Sequence, residues 1–213
     1  MKSKRIAYTP VTGSTSNICS SQSPGAGAAT LTINGALASG GVIPKQELGY
    51  IVGITVAATD LSGRTFTITG TSQDNAAQTE DVVGPSSNTV YSTKYYRSIS
   101  SITVTAGTDA AVTVGTSNIT LCAVTPTFPL NIYTPVHNIA VDVGGTINFT
   151  VEKCYERPTA GETPNWVSHI SAGAIDAATA LTAPTGAVRV KVNTYTNTAT
   201  FALQINPASY IRS

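Results

Sequence analysis

Residues 54–71 read ITVAATDLSGRTFTITGT, and residues 139–154 read IAVDVGGTINFTVEKC. In the first stretch Ile54 and Val56 flank Thr55, a turn follows over Asp60 to Gly63, and Phe66 and Ile68 alternate with Thr65, Thr67 and Thr69. Strict alternation is the period of a strand with one apolar face, because successive side chains point to opposite sides. The second stretch repeats the pattern with Ile139 and Val141, a Gly144-Gly145 turn, then Phe149 and Val151. Two alternating runs around a short turn predict a β-hairpin in each place.

Further along, Ile102, Val104, Val112 and Val114 form another such pair, and so do Val188, Val190, Val192, Phe201, Leu203 and Ile205. Each half of the chain therefore spells hairpin, polar excursion, hairpin. The offsets between halves are 85 (Ile54 to Ile139), 83 (Phe66 to Phe149) and 86 (Ile102 to Val188). A spacing of that size suits a whole small β-sandwich written twice and is too long for a solenoid repeat. Chance likeness between unrelated hairpins is the competing reading. A sustained helical period is absent, and SAGAIDAATAL at 171–181 is the one candidate for a short helix.

The expected architecture is all-β: two tandem antiparallel β-sandwich domains, Ig-like or jelly-roll-like, behind an irregular N-terminal arm. Residues 1–46 are assigned to the arm and a first strand, because SSQSPGAGAA has no periodicity, while Leu31 and Ile33 precede a turn-forming Asn34-Gly35. Residues 47–123 make the first sandwich. Residues 124–135, with Pro126, Pro129 and Pro135, read as a linker, since each proline fixes φ and removes a ladder donor. Residues 136–213 make the second sandwich.

Only 11% of the 213 residues are charged, against roughly a quarter in ordinary domains. Thr, Ser, Asn, Ala and Gly take their place, residues that suit solvated strands or surfaces a neighbour will cover. With 12 basic and 11 acidic residues the net charge is +1, so no electrostatic footprint points to nucleic acid or an anionic membrane. There is no apolar run of membrane-span length, and MKSKRIAYTPVTGS has no apolar core behind its basic residues, so a soluble, unexported chain is expected. Cys19, Cys122 and Cys154 are odd in number and widely spaced, which reads as buried free thiols.

Motifs that place phosphates, nucleophiles or metals are missing from the sequence, and no cofactor, catalytic residue or small-molecule substrate is expected. His137 and His169 form a metal pair only if the fold joins them. Of the close carboxylates, Glu80 and Asp81 point to opposite strand faces, and Glu152 and Glu156 read as a solvated strand end beside Lys153 and Arg157. NIT at 118 and NFT at 148 match a glycosylation sequon by coincidence. Tyr91, Tyr95 and Tyr96, around Lys94 and Arg97, are interface candidates or plain packing. Trp166 is a core plug or an interface anchor.

The stretches GITVAATDLSGRTFTITGTSQDNAAQTEDVVGP and TVYSTKYYRSISSITVTAGTDAAVTVGT, within residues 48–117, resemble a family of tailed-bacteriophage virion proteins. The second half, with INFTVEKCYERP, TPNWVSHISA and PTGAVRVKVNTYTNTATFALQI, is similar to a β-sandwich module of phage structural proteins. The resemblance implies a non-enzymatic virion component, a capsid decoration or cement protein made in the host cytoplasm and carried on the capsid exterior. Its implied partners are the major capsid protein and further copies of itself. A head fibre, an adaptor, a tail accessory protein or a host-glycan-binding module is the alternative, and the N-terminal segment is expected to lie along a neighbour.

Overall fold

The computed structural model describes residues 3–25, 27–107, 110–119, 121–133, 136–156, 158, 164–173, 176–181 and 184–207. Its strands are β1 (Lys4–Tyr8), β2 (Ser14–Gln22), β3 (Ala29–Thr30), β4 (Gly49–Tyr50), β5 (Val52–Val56), β6 (Thr65–Thr71), β7 (Ala77–Val83), β8 (Thr89–Tyr91) and β9 (Ser98–Val104). The series continues with β10 (Val112–Thr116), β11 (Ala123–Val124), β12 (Phe128–Pro129), β13 (His137–Gly144), β14 (Ile147–Cys154), β15 (Val167–Gly173), β16 (Ala177–Leu181), β17 (Ala187–Tyr195) and β18 (Thr200–Pro207). The described residues hold no α-helix. The helix expected at 171–181 is instead the end of β15 and all of β16, with residues 174 and 175 outside the described set. Its alanines favour helix over strand, and the pairing of β16 with β13 overrides that weak local preference.

The chain divides into two compact units: residues 12–123, here the N-terminal unit, and residues 1–11 with 124–213, the C-terminal unit. In the N-terminal unit the sheets run β2-β10-β5-β8 and β3-β9-β6-β7. In the C-terminal unit they run β1-β18-β13-β16 and β15-β14-β17, with β12 also paired to β17. The two orders are the same. Replacing β2, β3, β5, β6, β7, β8, β9 and β10 by β1, β12, β13, β14, β15, β16, β17 and β18 turns one unit into the other. Eight strands in this order, all antiparallel, make a jelly roll, so each unit is a β-sandwich of that kind.

Every run expected to form a hairpin with its successor pairs elsewhere. β5 pairs with β10 and β8, while β6 pairs with β7 and β9, and β13 and β14 part company in the same way. Each of these turns crosses from one sheet to the facing one, a gap of about 10 Å. Alternation dictates which face of a strand is buried, and a crossing buries the same face as a hairpin would. Between β13 and β14 the crossing turns on Gly145, whose φ of 86° a side chain would resist.

The inward faces meet as expected. Ile54, Val56, Val112, Val114 and Ile18 pack with Phe66, Ile68, Ile102 and Val104 in the N-terminal unit. In the other, Ile139, Val141, Leu203 and Ile205 on one sheet and Phe149, Val151, Val190 and Val192 on the other are all buried. The three cysteines are buried free thiols, and burial pushes the Cys19 and Cys122 pKa values up to about 12.

Of residues 1–46, expected as an arm and a first strand, the described ones are built into both sandwiches. β1 pairs along the whole of its length with β18, Tyr8 stacks on Phe201 at 5.1 Å, and Arg5 lies 3.4 Å from Asp142. β2 pairs with β10 through two register shifts, and its other side is covered by the segment after β3. There Ser20 donates to the Asn34 side chain, and Gln22 exchanges bonds with the Thr32 backbone. Leu31, Ile33 and Ile43 are buried. Polar side chains replace part of the ladder here, which is why no alternation marks the stretch. The proline-rich run, expected as a linker over 124–135, lies along β17 in its described part. The Thr125 amide donates to Val190, Phe128 pairs with Val188, and the Leu130 amide donates to Gly186.

Candidate functional site: a glycine-floored depression

On the outward face of the β2-β10-β5-β8 sheet, two glycines sit side by side. Gly53 of β5 is the register partner of Gly115 of β10 and also of Tyr91 of β8. Outward positions on β5 and β10 otherwise carry threonine, as at Thr55 and Thr113, and both glycines line a hollow on this face. Its volume is about 170 Å³. Gly115 is required for another reason: a Cβ there would strike the carbonyl oxygen of Ser14, so only glycine lets β2 come this close.

Tyr91 forms one wall. Its ring carbons lie 3.0 and 3.3 Å from where a Gly53 Cβ would stand, so the ring leans over the floor, and the residue stays 47% exposed. Ile119, 68% exposed, lines the same hollow. The polar lining is wholly uncharged. Thr55 and Thr89 hold their hydroxyl oxygens 2.7 Å apart, a pair that satisfies one proton and leaves the other to give. The lining residue Thr116 is held by buried Asn17, which donates to its hydroxyl at 2.7 Å and accepts from its backbone at 2.9 Å. The same Asn17 amide donates to the Thr12 carbonyl at 3.0 Å. Further along the lining, the Ser117 hydroxyl accepts from the Ile119 backbone at 3.2 Å.

The expected tyrosine cluster divides. Tyr91 faces the hollow, Tyr95 is half-buried, and Tyr96 is 2% exposed in the core, donating to the carbonyl of Ile68. Burial, with the charges of Glu80 and Asp81 behind it, pushes the Tyr96 phenol well above its usual range. As a core residue Tyr96 offers no contact surface. Lys94 and Arg97 are spent on backbone carbonyls of Thr79 and Gln46. Glu80 caps the Thr93 and Lys94 amides while Asp81 accepts from Thr67, the opposite faces expected of the pair.

Trp166, in the C-terminal unit just before β15, is half-buried under the guanidinium of Arg189, 4.2 Å from its ring centre. Arg189 also donates to Glu152 at 2.7 Å, and Lys191 stands 3.6 Å from the same carboxylate. Glu152 is therefore no solvated strand end. It is buried, and two cations on the neighbouring β17 hold it there. His137 is buried at the start of β13 and His169 is half-buried on β15, in different sheets; desolvation lowers both pKa values. No group of three or more metal-ligating side chains occurs among the described residues. Tyr91 was legible as a candidate from its sequence neighbourhood. Its hollow, however, depends on Gly53 and Gly115 meeting across strands 62 positions apart in the chain, which no local pattern announces.

No family model matches the chain, and no curated protein does. Among solved structures it is similar to the N-terminal CBM22-1-CBM22-2 tandem domain of Xyn10C from Paenibacillus barcinonensis. That likeness has 13% identity and a TM-score of 0.27, over 96% of this chain and 93% of that one.

Proposed function

We propose that this chain is a non-enzymatic structural protein of a tailed-bacteriophage virion, a capsid decoration protein that binds the outer shell and bridges neighbouring capsid subunits. The observation that carries the reading is the character of the N-terminal unit, whose residues 48–117 resemble virion proteins. Many of its outward strand positions, among them Thr55, Thr67, Thr69, Thr103 and Thr113, are half-buried and uncharged. Such faces lose little hydration energy when a neighbour covers them, since hydroxyls exchange water for protein partners more cheaply than charges do. Exposed Val83, Leu121, Tyr133 and Tyr155 add apolar contact points. On a repeating shell, modest contacts of this kind sum through multivalency. The partners are then the major capsid protein and further copies of this chain.

Shells assembled without the protein and then mixed with the purified chain provide the test. Saturable binding to the outer shell and a higher temperature of genome release support decoration. Binding confined to the tail, or shells no more robust when coated, overturns it and favours the adaptor or fibre alternative.

A further inference from the structure

We infer that the Gly53–Gly115 hollow is a binding site for a neutral sugar ring. This goes beyond the decoration reading and does not depend on it. The space of about 170 Å³ is comparable to the roughly 150 Å³ cavity known to take a benzene-sized ring. One wall is the half-exposed ring of Tyr91 and another the side chain of Ile119, both apolar faces. Between them stand hydroxyl and amide groups from Thr55, Thr89, Ser117 and Asn118, and no charged side chain lines the site. A pyranose has that same division: a C–H face that lies against an aromatic ring, and a rim of hydroxyls that both donate and accept. An anionic or cationic ligand would find no counter-charge here.

The walls are fixed before any ligand arrives. Asn17 ties Thr116 to the Thr12 backbone, and a Cβ on Gly13 would lie 2.6 Å from the Asn118 side chain, so those two segments are in close contact. Leu121, two positions beyond Ile119 in the sequence, has a φ of 44°, a conformation leucine rarely adopts. Strained backbone persists where surrounding structure over-determines it, and it gathers at ligand sites. Pre-set walls that offer an apolar body and a few placed polar groups are the usual build of a small-ligand site.

The test is a titration of the full chain with glucose, galactose and N-acetylglucosamine, read by amide shifts at Gly53 and Gly115. At least one sugar should shift both amides at concentrations on the order of millimolar. Tyr91→Ala should weaken that titration about tenfold, the loss expected of one stacking face, while Tyr91→Phe keeps it. Trp166→Ala, in the other unit, should leave it unchanged. Should Tyr91→Ala lose its fold, Thr55→Val, which removes the hydroxyl pair at constant shape, should weaken the titration in its place. No shift with any sugar overturns the inference, as does a folded Tyr91→Ala chain that titrates like the parent. Shell binding by Tyr91→Ala is measured in parallel. If that variant loses the shell and the parent takes no sugar, the hollow is a protein contact, and the sugar site falls while decoration stands.

Discussion

Glu152 shows how a single charge is made tolerable inside a sheet. Its carboxylate lies between Arg189 at 2.7 Å and Lys191 at 3.6 Å, and Arg189 is in turn packed over Trp166. Removing the carboxylate leaves two partly buried cations facing each other, so Glu152→Ala should cost about 3 kcal/mol in urea unfolding. The double variant Glu152→Leu with Arg189→Met should recover much of that, since an apolar pair of similar volume avoids desolvation altogether. The histidines work in the other direction. Both have pKa values lowered from 6.5 by desolvation, so the unfolded chain binds the proton more readily than the folded one. Stability is full above 6.5 and declines as pH falls below it toward the depressed folded values. A urea midpoint lower at about pH 5.5 than at about pH 7.5, with the difference reduced in His137→Gln, is the expected result.

Among the elements, β2 and β1 are the instructive ones, because each closes a sheet beside the last strand of its unit. For β2 the closure depends on Gly115, where a Cβ would meet the Ser14 carbonyl. Gly115→Ala should therefore cost about 1–3 kcal/mol, the range for overpacking, and should loosen β2 before the rest of its unit in hydrogen exchange. A loss under the error of the measurement would mean that β2 bulges freely at this point. The alternating text of β5, β6, β13 and β14 made the strands themselves readable, because burial on one face is written into every second residue. Which strand each would pair with was not readable. Hairpin and sheet crossing bury identical side chains, and the choice depends on partners far along the chain, β10 for β5 and β18 for β13.

At the level of the whole molecule, the N-terminal unit falls, in chain order, between the first strand of the C-terminal unit and the rest of it. Residues 12–123 contain all eight strands of their own jelly roll and should fold when expressed alone, with a cooperative thermal transition. Residues 124–213 lack β1. Without it, β18 presents Phe201 and a full row of unpaired backbone groups at a sheet edge. That fragment should melt without cooperativity or aggregate, and supplying residues 1–11 should restore a cooperative melt. A stable 124–213 fragment would show that β1 is an accessory to the sandwich and no part of its closure.

The all-β class, the apolar faces of the long strands and the doubling near 85 residues were all fixed by local text, because a period of two states directly which side chains avoid water. The jelly-roll pairing, the use of residues 4–8 by the distant C-terminal half and the meeting of Gly53 with Gly115 were settled only in three dimensions. Each is a contact between residues far apart in sequence, and such contacts are chosen by the closure of two sheets around a shared core and by nothing a neighbouring residue can signal.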